Sequence, residues 1–322
     1  MKAARINEFG PADNFFIDEI DQPQPATGEV LIKQDHAGLN FIDVYMRNGL
    51  YPIDQFPATL GMEAAGTVVD AGDSTKFKVG DRVAYVMIPG AYAEYRCVHQ
   101  DKLVKLPDSI STETAATMML KGLTAYYLLR RTYVVKPGDS LLVYGAAGGV
   151  GTLLTQWGKH LGATVIGCVG DENKAEIARD NGCDATILYR SENIPQRVKE
   201  LTHGKGVNVA YDGIGQSTFN DSLDSLGNFG MLVSYGNITG KVEPFSPAIL
   251  APKGSLYVTR PTLATHVSTP ELLNEAADGL FEVIDNNIVT TTISHRWPLA
   301  EIAEAHKALE NRQTSGLTVI DI

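Results

Sequence analysis
Residues 146 to 151, Ala-Ala-Gly-Gly-Val-Gly, are the stretch whose residue types and spacing most directly imply chemistry. Glycine removes the side chains that would keep a phosphate away from backbone N–H groups. Gly148 leaves room for that approach, and Gly151 lets a helix pack closely on a strand. The pattern departs from G-x-G-x-x-G where Ala146 replaces the first glycine. Leu141, Leu142 and Val143 form an apolar run before it. Val150, Leu153, Leu154, Trp157 and Leu161 recur after it at helical spacing. The segment predicts strand, tight turn and helix, with the positive end of the helix aimed at a pyrophosphate. An ordinary strand-to-helix turn shares these local features, so the surrounding elements must decide between the two.

Those elements alternate. Strands are expected at 141–144, 164–169, 186–188, 207–211, 231–235 and 256–259, with helices at 174–181 and 194–202 among the intervening segments. This rhythm predicts an α/β fold, a Rossmann doubly wound parallel sheet of about six strands. Ligands of such sheets lie beyond the carboxyl ends of the strands. The loops at 145–149, 170–174, 189–190, 212–215, 236–237 and 260–261 should therefore converge on one crevice. The first hundred or so residues read differently. Strands expected at 3–6, 30–36, 66–70, 82–85 and 92–98 show no βαβ rhythm, which predicts a β-rich, barrel-like domain. After residue 261, helices at 270–285 and 299–310 precede a strand at 317–320, expected to return to the first domain. One domain is then inserted in the other, with the crevice between them.

Composition bounds the function. A chain of 322 residues fits two domains, and a net charge of −11 disfavours a nucleic-acid or anionic-membrane partner. Residues 1–8 lack the apolar region of a secretory signal, and no apolar run is long enough to span a bilayer. Cys97, Cys168 and Cys183 are isolated and the histidines form no H-E-x-x-H. A cytoplasmic protein without a disulfide framework is expected.

Several segments together resemble the medium-chain dehydrogenase/reductase superfamily, and within it the zinc-independent quinone oxidoreductases related to zeta-crystallin. They are Ala37-Gly-Leu-Asn-Phe-Ile-Asp-Val44, Gly61-Met-Glu-Ala-Ala-Gly-Thr67, Val79-Gly-Asp-Arg-Val83, Lys121-Gly-Leu-Thr124, the glycine loop, Val209-Ala-Tyr-Asp-Gly213 and Gly254-Ser-Leu-Tyr-Val-Thr-Arg-Pro261. The resemblance runs over essentially the whole length. It implies a GroES-like catalytic domain (residues 1–124 and 262–322) around an NADPH-binding Rossmann domain (residues 125–261). Zinc-dependent alcohol dehydrogenases of the superfamily carry a catalytic cysteine where this chain has Asn40, and a histidine where it has Met62. These changes remove the ligand set that zinc requires, so no metal is expected.

The resemblance also implies roles. Val169 and Gly170 stand where an NAD enzyme places an acidic residue for the ribose hydroxyls, whereas Lys174, Tyr189 and Arg312 match positions around the 2′-phosphate of NADPH. Asp171 reads as a helix cap. The cofactor set includes Asn40, Ile42, Lys121, Thr124, Ala147, Gly148, Gly149, Val150, Gly170, Tyr235, Gly236, Asn237 and Arg260, with Pro261 beside the last. Asn40, Asp43, Tyr45 and Tyr51 are the candidate catalytic residues. Asp43, Lys121 and Glu63 suit a structural polar network equally well.

The implied activity is NADPH-dependent reduction of small quinones without a metal. An already electrophilic ring needs no Lewis acid, so binding, orientation and exclusion of water carry the reaction. An NADPH-dependent reductase of alkenal or enone double bonds fits the same residues. An NADPH-binding protein with an RNA-binding or crystallin-like role is the remaining reading, opposed in its RNA form by the acidic charge. A homodimer through the edge strand near 255–259 is expected, although Leu256, Tyr257 and Val258 also suit an interior strand.

Overall fold
The computed structural model describes residues 1–290 and 292–322. They divide into two compact units, Met1–Leu123 with Val267–Asp285 and Thr291–Ile322, and Thr124–His266 with Asn286–Thr290.

The second unit is built on a six-stranded sheet whose pairings are all parallel. Its order is Ala185–Leu188, Thr164–Val169, Ser140–Tyr144, Val207–Asp212, Leu226–Ser234 and Tyr257–Thr259. The apolar run at Leu141–Val143 is fully buried, as a strand covered on both faces by helices requires. Helices Gly149–His160, Glu172–Asp180, Ile194–Leu201 and Phe219–Ser225 supply that cover. Leu142, Ile166, Ile187, Ala210 and Leu232 form one core across the sheet. Strand order reverses at Ser140–Tyr144, so the ligand crevice of this sheet lies beyond its carboxyl end. The strand expected at 231–235 instead runs Leu226–Ser234, entering beside a register shift between Val207 and Val209.

The first unit holds a seven-stranded, largely antiparallel sheet and a separate three-stranded one. Strand Glu29–Gly38 is its trunk. It pairs with Glu63–Asp70 along its length, with Tyr95–His99 at one end and with Leu317–Asp321 at the other. Register shifts near Leu31 and Gln34 bend the strand enough to serve these different neighbours. The returning C-terminal strand thus pairs where it was expected. Helix Phe41–Arg47 interrupts the region whose pattern predicts only strands, and Thr112–Tyr127 follows that region; Asp43 and Tyr45 lie on the first and Lys121 on the second.

Candidate active site
The turn after Ser140–Tyr144 is made by Gly145, which takes φ +65° with open space around its missing side chain. That conformation favours glycine, so the fingerprint's tight-turn function sits one position before Ala146. Ala146 is fully buried and faces Gly167, where a Cβ would come within 2.8 Å of the Ala146 methyl. The substitution in the fingerprint is therefore matched on the neighbouring strand. Gly148 caps the helix Gly149–His160 in extended geometry. A Cβ on Gly151 would stand 2.1 Å from the Gly145 carbonyl, so the helix meets the loop at glycine contact distance. The loop, with Ala147, Gly149 and Val150 on it, offers a helix N-terminus to an anion.

Strand Thr164–Val169 ends without an acidic residue. Asp171 caps the next helix, accepting the Lys174 N–H at 3.0 Å. No ion pair of the Lys174 ammonium with a carboxylate is found among the described residues. Tyr189 reaches over Gly170, where a Cβ would lie 2.8 Å from the phenol oxygen. Gly170, Lys174 and Tyr189 are thus gathered at one end of the sheet.

At the neighbouring strand ends, Asp212 is a buried hub to which the sequence pattern assigns no role. Its Oδ1 accepts the Ile214 and Gly215 N–H groups, and its Oδ2 accepts the Thr218 and Ser222 hydroxyls at 2.8 Å. An acid ending an apolar strand was the available signal. These bonds hold the turn at 212–218, and Gly213 leaves space for the Tyr235 ring. With its amide nitrogen toward the Gly236 carbonyl, Asn237 presents Oδ1 to Arg260 at 3.2 Å. Tyr235, Gly236, Asn237 and Arg260 therefore form one wall, with Pro261 following Arg260 in sequence.

The first unit contains a closed polar network. Asn40 Nδ2 donates to Glu63 Oε1 at 2.7 Å, and Lys121 Nζ donates to Asn40 Oδ1 at 2.7 Å and to the Leu39 carbonyl at 3.1 Å. The Leu120 N–H donates to Glu63 Oε2, and Lys121 lies 3.6 Å from Glu63. The charged partners fix the Asn40 amide in one orientation. Burial pushes the Glu63 carboxyl up, against the pull of Lys121. Asp43 accepts the Asn40 N–H at 2.8 Å and so secures the start of Phe41–Arg47. It is wholly buried, and burial drives its pKa up to about 7 despite the Asn40 N–H. Asp43 Oδ1 and the Tyr92 hydroxyl complete no hydrogen bond in return.

The same helix carries Ile42 and Tyr45, both partly buried, and Tyr45 meets Tyr51 edge to face at 5.7 Å. In such a pair the edge of one ring packs on the face of the other at right angles. Arg312 comes after the helix Ile302–Glu310 in this unit, whereas Thr124 is a buried residue of the other. Among the described residues no group of three or more histidine, cysteine, aspartate or glutamate side chains is placed to hold a metal ion.

The description "Alcohol dehydrogenase GroES-like domain" matches residues 26–108, and "Zinc-binding dehydrogenase" matches residues 149–278. A quinone oxidoreductase of Pseudomonas aeruginosa is 48% identical, with 92% of each chain covered. A 2-haloacrylate reductase of a Burkholderia species is 40% identical over 99% of this chain and 98% of its own. The solved structure of Escherichia coli quinone oxidoreductase complexed with NADPH superposes with a TM-score of 0.97 at 41% identity, covering all of both chains.

Proposed function
The chain belongs to the quinone oxidoreductases of the medium-chain dehydrogenase/reductase superfamily, and from that premise we propose that it reduces small quinones with NADPH and without a metal. The observation that carries the metal-free chemistry is the Lys121 ammonium hydrogen-bonded to Asn40 Oδ1. Asn40 supplies no thiolate, and its one oxygen already serves a cation.

The cofactor fits the residues present. The glycine loop offers its N–H groups to the pyrophosphate, and Lys174 with Tyr189 suits the 2′-phosphate where an NAD enzyme would place a carboxylate. The resemblance adds Arg312, whose guanidinium fork would suit the same phosphate. NADPH, when bound, supplies the reducing equivalents. By the resemblance, Tyr235, Gly236, Asn237, Arg260 and Thr124 of the one unit would hold the nicotinamide, and Ile42 and the Asn40 amide are the residues of the other unit that would bond it. Tyr45 and Tyr51 hold the acceptor ring and limit water around it. Their phenols can hydrogen-bond the quinone oxygens, and the protons taken up come from solvent or from these hydroxyls. Asp43, Glu63 and Lys121 act through Asn40 by fixing its position.

The glycine loop, Lys174 and Tyr189 of the unit containing Thr124–His266 would carry most of the cofactor, and Tyr45 and Tyr51 of the unit containing Met1–Leu123 the acceptor. Strand Tyr257–Thr259 ends its sheet with Tyr257 56% exposed, and a second copy pairing there makes a homodimer. No helix among the described residues is long and apolar enough to cross a membrane. The free cysteines suit the cytoplasm.

A second reading, reduction of an activated carbon–carbon double bond, is favoured by the likeness to the 2-haloacrylate reductase. The test is NADPH oxidation by chelator-treated protein with 1,4-benzoquinone, 9,10-phenanthrenequinone, 2-chloroacrylate and a 2-alkenal, with NADH in parallel. Rapid NADPH-dependent turnover of the quinones supports the proposal. Turnover confined to the acrylate or alkenal overturns the quinone assignment and leaves the cofactor assignment standing. Turnover lost to the chelator and restored by zinc overturns the metal-free chemistry.

A further inference from the structure
Arg47 is 2% exposed and makes no part of the polar network around Asn40, yet three of its guanidinium nitrogens have partners. Its Nη2 donates to Glu310 Oε1 at 2.7 Å, its Nη1 faces His306 Nδ1 at 3.2 Å, and its Nε donates to the Gly10 carbonyl at 3.0 Å. The Gly10 N–H returns a bond to the Arg47 carbonyl. His306 is wholly buried, and burial together with the Arg47 charge pushes its pKa well down. The neutral ring therefore accepts from Arg47 through Nδ1. Phe15 packs edge-on against that ring at 4.8 Å. Arg47 thus ties the end of one helix to the last turn of another, Ile302–Glu310.

Just beyond that last turn lies Arg312, in the left-handed region at φ +59°. Its N–H donates to the Leu309 carbonyl, and the Gln313 N–H to the Ala308 carbonyl. Glycine usually fills such a helix end, because a side chain there is strained. A strained residue persists where its surroundings over-determine it. Here a buried fork pins the last two turns of Ile302–Glu310 at His306 and Glu310, and the Arg312 backbone is bonded to the same turn through Leu309.

We propose that Arg47 is a positioning residue for recognition of the 2′-phosphate, bracing the end of Ile302–Glu310 so that Arg312 is held ready for that group. This rests on the reading of Arg312 as a phosphate ligand. A lysine at position 47 keeps the charge but cannot make the three-way fork.

The experiment is a double-mutant cycle of R47K and R312A, read as Kd for NADPH and for NADH by fluorescence titration without acceptor and as KM and kcat, with thermal melting to confirm folding. R312A is expected to raise KM for NADPH about tenfold and R47K about fivefold, with KM for NADH and kcat little changed. The double variant should match R312A alone, because a brace has no effect once the braced group is gone. Additive effects, or an R47K loss shared equally by NADH, would overturn the brace. If R47K melts so early that kinetics fail, E310Q supplies the second reading. It weakens the fork by giving Arg47 a neutral oxygen in place of a carboxylate, so a loss specific to NADPH that vanishes in the R312A background supports the brace, and unchanged or improved NADPH binding overturns it. If R312A leaves NADPH and NADH equally affected, the phosphate role of Arg312 is what fails.

Discussion

Lys121 Nζ stands 2.7 Å from Asn40 Oδ1, placing an ammonium on the amide of the residue that opens the helix Phe41–Arg47. The other end of that amide is held by Glu63, which is wholly buried. Removing the ammonium leaves a carboxylate without its countercharge in a dry site. K121M should therefore cost about 3–5 kcal/mol of unfolding free energy in a denaturant titration. Adding E63Q should recover most of that loss, since a neutral amide can still accept from the Leu120 N–H. Equal loss in the single and double variants would show that Lys121 does not serve as the countercharge.

Asp43 gives a pH dependence whose sign comes from its burial. Its carboxyl titrates at about 7 in the folded protein, against an ordinary value of 3.8. Between those values the unfolded chain has released the proton and the folded protein retains it. Stability from this group is thus greatest below pH about 4 and falls as pH rises to about 7, by on the order of 4 kcal/mol. D43N keeps an acceptor for the Asn40 N–H and does not titrate. The difference in unfolding free energy between D43N and the parent should move in favour of D43N as pH increases from 4 to 7, then level. Parallel stability curves across that range would contradict the assignment.

If Tyr189 and Gly170 border the 2′-phosphate as proposed, they set the cofactor specificity. G170D alone places a Cβ 2.8 Å from the phenol oxygen, so binding of both cofactors should weaken. With Y189A added, the new carboxylate has room to take the ribose hydroxyls and repels a 2′-phosphate. The ratio of kcat/KM for NADH to that for NADPH should then rise by about tenfold or more. An unchanged ratio in the double variant would place the phosphate elsewhere.

The two glycines around the phosphate loop should respond unequally to alanine. G151A drives a methyl to 2.1 Å from the Gly145 carbonyl, where backbone must move. A loss of about 1–3 kcal/mol or more and weak NADPH binding are expected. G145A adds a methyl into open space and suffers only the left-handed strain, about 1 kcal/mol. Melting temperature and NADPH titration on both variants check the order.

The parallel sheet, the glycine loop and the cap at Asp171 were legible in the chain alone, because each arises from local order: apolar runs of strand length, residues without side chains at a turn, a carboxylate one position before a helix. The resemblance carried the family, the cofactor and the positions of Lys174, Tyr189 and Asn40. Tertiary structure decided matters that depend on approach between distant residues. Gly145 rather than residue 146 makes the tight turn, because only the fold reveals which backbone angle is positive and that Gly167 yields space to Ala146. The Asn40 amide is oriented by Glu63 and Lys121, and Arg47 meets His306 across 259 positions of sequence. A side chain's type states what it can bond; which bond it makes is fixed by burial, which removes water as a partner and leaves the polar groups that the fold brings within reach.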